Sequence, residues 1–138
     1  KEFDAIKISK NLHPTYFTQN IQNFHFNDID GVELFLKKKK KCDELTGSKS
    51  DTLVIRCHPT ESPEKYYKLL TKFDDVHIKI DKNDSFITTL RETSYVIGLD
   101  TNPMFIGLKL GMPVFCSSPD DQWRMSADLD GVLYLNKI

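Results

Sequence analysis

The sequence predicts an α/β fold, a parallel sheet with helices on both faces. Three observations predict it. Short apolar runs rich in β-branched residues recur at Thr52 to Cys57 (TLVIRC), Tyr95 to Leu99 (YVIGL) and Pro113 to Cys116 (PVFC), as strands buried on both faces require. Segments of helical periodicity with start signals lie between them. The connections are short, so strands and helices alternate along the chain, the pattern of a parallel sheet wound through crossover helices.

The elements follow in order. Lys1 to Asn27 is polar and irregular; Phe3 to Ile8 has strand character, whereas Tyr16, Phe17, Ile21 and Phe24 fit one loose helical face. We read residues 1–28 as a linker or extension of a single domain spanning 1–138, with 52–116 as its best-defined core. Asp30 to Leu45 has helical spacing through Ile29, Val32, Phe35 and Leu36, with Asp30 and Glu33 in a capping-box pattern. The lysines 37–41 extend that helix, as a solvated end or as a patch for phosphate or membrane. A polar loop with Gly47 follows. After the strand at Thr52, Ser62-Pro63-Glu64 starts a helix whose apolar face is Tyr66, Leu69, Leu70 and Phe73. Val76 to Ile80 alternates as a half-exposed strand. Asp84 or Ser85 caps a short helix through Phe86, Ile87 and Leu90. After Tyr95 to Leu99, Asn102 and Pro103 start a helix with Met104, Phe105 and Leu108 inward, and Gly111 stands just past its end. Val132 to Leu135 is the last strand.

Composition bounds the function. The chain has 138 residues, 39% hydrophobic and 28% charged, with a net charge of −1. That suits one globular domain and gives no clustered excess of basic residues for nucleic acid. No apolar run approaches the ~20 residues of a membrane span. The chain begins at Lys1 without Met, as a processed product or a piece of a longer protein does. Three cysteines, Cys42, Cys57 and Cys116, show no CxxC spacing. They exclude a disulfide framework and suit a reducing, cytoplasmic setting; Cys57 and Cys116 read as small core residues. Neither a GxGxxG nor a GxxxxGK[ST] loop follows any strand, no GxSxG elbow exists, and no His or carboxylate pair has metal-ligand spacing.

In an open parallel sheet, ligands bind beyond the carboxyl ends of the strands. That rule selects His58-Pro59-Thr60-Glu61, Asp81 to Ser85, Asp100-Thr101-Asn102 and Ser117-Ser118. The helix start at Asn102 offers backbone N–H groups and a positive dipole end for a phosphate. Thr101, Asn102 and His58 add side-chain donors, unless the first two merely cap the helix and His58 merely fills a turn. Glu61, Asp81, Asp84 and Asp100 are acceptors suited to ribose or base, with Asp84 alternatively a helix cap. Ser117 and Ser118 are a loop beside such a ligand.

Two stretches together resemble a known family. VIRCHPTE resembles the strand and His-Pro motif of bacterial sialyltransferases and capsular polysaccharide transferases, and YVIGLDTNPMFIGLKLGMPVF resembles the carboxy-terminal half of GT-B glycosyltransferases. The resemblance spans about Thr52 to Cys116. It implies a Rossmann-like domain, one half of a GT-B architecture, that binds a nucleotide-sugar linked to CMP or UDP. It implies an inverting, metal-independent transfer to a glycan, without a separate cofactor. His58 would be the catalytic residue that stabilises the leaving phosphate, together with Thr101 and Asn102. The glycan acceptor and the general base would come from an amino-terminal domain that this chain lacks. The sequence departs from the family where two small hydroxyl residues are usual and DTN stands instead. Two other readings stay open: a nucleotide-sugar hydrolase or epimerase on the same fold, and a non-catalytic α/β interaction module.

Overall fold

The computed structural model describes residues 12–20, 26–125 and 130–138. Six strands form one sheet in the order β3-β2-β1-β4-β5-β6, all parallel. They are β1 (His13–Phe17), β2 (Thr52–Arg56), β3 (His77–Ile80), β4 (Thr93–Gly98), β5 (Val114–Cys116) and β6 (Val132–Tyr134). The helices are α1 (Asp28–Thr46), α2 (Glu64–Tyr67), α3 (Phe86–Arg91) and α4 (Asn102–Lys109), with 3-10 turns at Lys68–Thr71 and Leu135–Lys137. The fold is α/β and Rossmann-like, as the sequence predicts.

Alternation along each strand builds two cores. On one face Tyr16, Leu53, Ile55, Ile78, Tyr95, Ile97 and Phe115 pack with Val32, Phe35 and Leu36 of α1 and Tyr66 of α2. On the other, Phe17, Val96, Val114 and Cys116 pack with Leu90 of α3 and Met104 of α4. Each strand residue sends its side chain to the face opposite its neighbour's, so helices cover both faces of the sheet.

The largest departure from the sequence reading is β1. Residues 13–17 lie inside the segment read as a linker or extension, yet they form the central strand, hydrogen-bonded to β2 and to β4. Tyr16 and Phe17 therefore sit on a strand and point to opposite cores, not along one helix face. Ile21, Phe24 and the candidate strand Phe3 to Ile8 lie outside the described residues. Pro14 hides the strand, because it has no N–H for the ladder. The β1–β4 register shifts between His13 and Thr15, where the irregularity accommodates it.

Two caps also differ. Asn27, not Asp30, caps α1: its side chain accepts the Asp30 N–H at 3.1 Å, and the Asp30 carboxylate accepts the Asn27 N–H at 2.9 Å, which is the reciprocal box one turn earlier. The helix expected from Ser62 to Phe73 breaks into α2 and a 3-10 turn, and the Ser62 hydroxyl at its start accepts the Glu64 N–H at 3.4 Å. Thr101, not Asn102, stands at the cap position of α4, and its hydroxyl makes no capping bond. Of the two residues offered as the cap of α3, Ser85 serves, accepting the Ile87 N–H at 3.1 Å.

Much of the lysine run serves the fold. Lys39 is buried and bonds the Asp43 carboxylate at 2.8 Å and the Ser50 carbonyl at 2.5 Å. Lys38 reaches the Ile138 carbonyl at 2.5 Å. Lys37, Lys40 and Lys41 are the exposed ones, too few for a charged patch of the kind that grips phosphate chains or membranes. Among the described residues no helix is long and apolar enough to cross a membrane.

Candidate functional site

The strand order places the start of the chain's winding in the middle of the sheet. From β1 it runs out to β3, then crosses back through α3 to β4 on the other side of β1. The carboxyl ends of β1 and β4 thus diverge at the topological switch point, where doubly wound sheets open a crevice.

A cleft of about 390 Å³ occupies that point, lined by Thr18, Gln19, His58, Phe86, Asp100, Thr101, Asn102 and Pro103. A second hollow of about 160 Å³ adjoins it and shares Thr18, His58, Phe86, Thr101 and Pro103. The structure therefore brings His58, Asp100, Thr101 and Asn102 into one cleft from two separate strand ends. Gln19 ties the ends together: its side-chain carbonyl accepts the Asp100 N–H at 2.9 Å. Close approach of α4 to this edge depends on Gly98, where an added Cβ would meet the Met104 sulfur at 2.8 Å and the Phe17 carbonyl at 3.2 Å.

Two helix N-termini lie near the switch point, and they differ. At α1 the buried Asp28 carboxylate accepts the Gln19 N–H at 3.2 and 3.3 Å. A negative side chain thus already stands in the first turn, where the dipole favours an anion. At α4 the first turn has no acid. Pro103 has no N–H, and the Met104 N–H is bonded to the Thr101 carbonyl at 3.1 Å, so the Asn102 N–H is the first-turn donor with no partner inside the helix. The Thr101 hydroxyl, buried and without a hydrogen-bond partner, joins it. A buried hydroxyl without a partner costs about 1–3 kcal/mol, a cost that an acceptor arriving in the cleft removes.

The turn after β2 carries His58. The His58 N–H donates to the Thr18 hydroxyl at 2.8 Å and to Glu61 Oε1 at 3.0 Å. Thr18 donates in turn to Glu61 Oε1, and Glu61 Oε2 accepts from the Tyr66 hydroxyl at 2.9 Å and Lys65 Nζ at 2.6 Å. Burial pushes the Glu61 carboxyl up, but hydrogen bonds from Lys65, Thr18, the His58 N–H and Tyr66 outweigh it and hold the group below its ordinary value. Glu61 therefore latches the His58 turn and does not line the cleft, although the sequence offers it as a ribose acceptor. Asp81 is likewise engaged elsewhere: it pairs with Arg56 at 2.6 Å and accepts from Thr89 at 2.5 Å and Asn83 at 2.8 Å.

The other predicted site residues stand apart from the cleft. Asp84 is exposed in the turn before α3. Ser117 is buried and donates to the Gly31 carbonyl, and Ser118 bonds the Asp120 carbonyl at 2.9 Å. Both serines hold the loop after β5 to its neighbours. Burial pushes the Cys57 and Cys116 thiols each up to about 11, so neither forms the thiolate a nucleophile needs near neutral pH. Thr18, Gln19 and Phe86 are cleft residues that sequence reasoning missed; the first two follow a strand it did not find. Among the described residues no group of three His, Cys, Asp or Glu is arranged to hold a metal ion.

No family model matches the chain, and no curated protein matches it. Among solved structures it is similar to a UDP-GlcNAc 2-epimerase from Methanocaldococcus jannaschii, with a TM-score of 0.50 and 10% identity. The alignment covers 96% of this chain and 36% of that one. This likeness shows the fold. The chain spans little more than a third of the epimerase's length.

Proposed function

We propose that this domain binds a nucleotide-sugar in the switch-point cleft, with the phosphate at the start of α4. The observation that carries the reading is the Thr101 hydroxyl, buried without a partner, in the cleft that His58 also lines. A phosphate oxygen would accept from Thr101, from the Asn102 N–H and from His58, while Asp100 in the same cleft would take a ribose hydroxyl. The α4 dipole adds to the attraction for an anion.

As the donor-binding half of a glycosyltransferase, the site would stabilise charge on the leaving phosphate. The bond from the anomeric carbon to the phosphate oxygen breaks and its electron pair stays with the nucleotide. The acceptor oxygen bonds the same carbon and gives its proton to a base on a facing domain. The solved structure's name favours a second reading on the same site, nucleotide-sugar epimerisation. Both readings share the phosphate contacts and part ways at the sugar.

The test is a calorimetric titration of the chain with CMP, CDP, UMP, UDP and GDP, beside His58→Ala. Saturable binding of one nucleotide, at least about tenfold weaker in the variant, supports the reading and gives the donor class. No binding at millimolar concentration by any of the five favours an interaction module instead.

A further inference from the structure

The His58 ring has a second set of contacts, separate from the backbone latch. The Thr60 backbone nitrogen lies 3.2 Å from His58 Nδ1, and the Thr60 hydroxyl oxygen lies 2.7 Å from the same atom. A backbone N–H can only donate, so Nδ1 is an acceptor and carries no proton. The Asn20 side-chain amide donates to the Thr60 hydroxyl at 2.8 Å. That bond occupies an acceptor site on the oxygen and leaves its proton for Nδ1. Asn20 reaches Thr60 from a left-handed backbone, φ 57°, three residues past the end of β1. Asparagine tolerates that conformation better than most residues.

We infer that Thr60, set by Asn20, is a positioning residue that fixes His58 Nδ1 as an acceptor and turns Nε2–H toward the cleft as the hydrogen-bond donor to its ligand. The two ring nitrogens are not equivalent here: one is fixed as acceptor inside the turn, so the other bears the proton. The inference rests on the phosphate-site reading only for the nature of the ligand. It deepens that reading in one respect. A histidine whose Nε2 already carries the proton donates to an oxygen of the ligand and does not remove a proton from an acceptor hydroxyl. His58 then binds the leaving group, and the general base lies elsewhere.

The experiment uses the whole chain labelled with ¹⁵N. Long-range ring correlations of the four histidines are recorded in mildly alkaline solution, and the His58 signals are identified by their loss in His58→Ala. The expected result is a protonated Nε2 and an unprotonated Nδ1 at His58. Thr60→Val, which keeps the backbone N–H and removes the hydroxyl, shifts the Nδ1 resonance. It also weakens nucleotide binding about three- to tenfold; Thr60→Ser restores both. A His58 with its proton on Nδ1, or a Thr60→Val chain that matches the unaltered one in both measurements, overturns the inference. If the unaltered chain binds none of the nucleotides, the phosphate-site reading fails, and the tautomer signals still decide the role of Thr60.

Discussion

Glu61 accepts the His58 N–H at 3.0 Å with a carboxylate whose side chain is 2% exposed. A buried acid thus holds in place the turn that presents an imidazole to the cleft. Its folded pKa lies below its ordinary value. A depressed acid contributes stability that is fully present above its unfolded pKa and is lost as pH falls through the folded one.

The first prediction follows from that sign. Glu61→Gln lowers stability by about 1–3 kcal/mol at neutral pH, because the charge-assisted bonds from Lys65 and the His58 N–H weaken. The difference from the unaltered chain begins to shrink as pH falls below about 4.5, where Glu61 of the unfolded chain takes up a proton, and goes on shrinking through the lower folded pKa. Urea unfolding at pH about 7 and pH about 4 reads both values. An equal difference at the two would separate the latch from the carboxylate's charge.

The second concerns Thr101. Its hydroxyl has no partner within the protein, so Thr101→Val changes folding stability by no more than about 1 kcal/mol, and in the stabilising direction if at all. The same change weakens nucleotide binding by about tenfold. Unfolding curves and titrations on one preparation test both halves. A large loss of stability would mean that the hydroxyl serves the fold.

The third concerns Tyr16 and Gly31, which meet where β1 passes beneath the start of α1. An added Cβ at Gly31 would collide with the Tyr16 hydroxyl. That hydroxyl is itself buried without a partner, and burial pushes its pKa well up. Gly31→Ala therefore destabilises by about 1–3 kcal/mol through overpacking, despite the better helix propensity of alanine. Tyr16→Phe alone is nearly neutral. The double variant recovers most of the loss, giving a coupling energy above about 0.5 kcal/mol in a double-mutant cycle. Strict additivity would sink the steric account.

The parts of the fold that read clearly from sequence were those where one signal sufficed. β2, β4 and β5 are apolar runs between turn residues, and burial on both faces leaves little else for such runs to be. β1 failed because its apolar stretch is only Tyr16 and Phe17, its first residues are His13 and Pro14, and its surroundings are polar. Its place in the sheet comes from neighbours distant in sequence, Val54 and Val96 beside Thr15. The site divides in the same way. His58, Asp100, Thr101 and Asn102 were legible because the strand-end rule needs only the strands on which they follow. Gln19 and Thr18 were not, since they follow β1. Glu61 and Asp81 looked like ligand acceptors because a sequence displays a carboxylate without its partners; Lys65, Tyr66, Arg56 and Thr89 become visible only when the chain is folded.

The central position of β1 also orders events during synthesis. β1 is made before the strands on either side of it, and one side has no neighbour until β4, ending at Gly98, has emerged. Until then the nascent sheet can pair only β1, β2 and β3, with an unpaired edge and a half-covered apolar surface exposed, a state prone to wrong contacts. The cleft lies on the seam that β4 closes when it pairs with β1. Formation of the cleft thus waits on the pairing of β4 with β1, and a chain released before Gly98 would have no cleft.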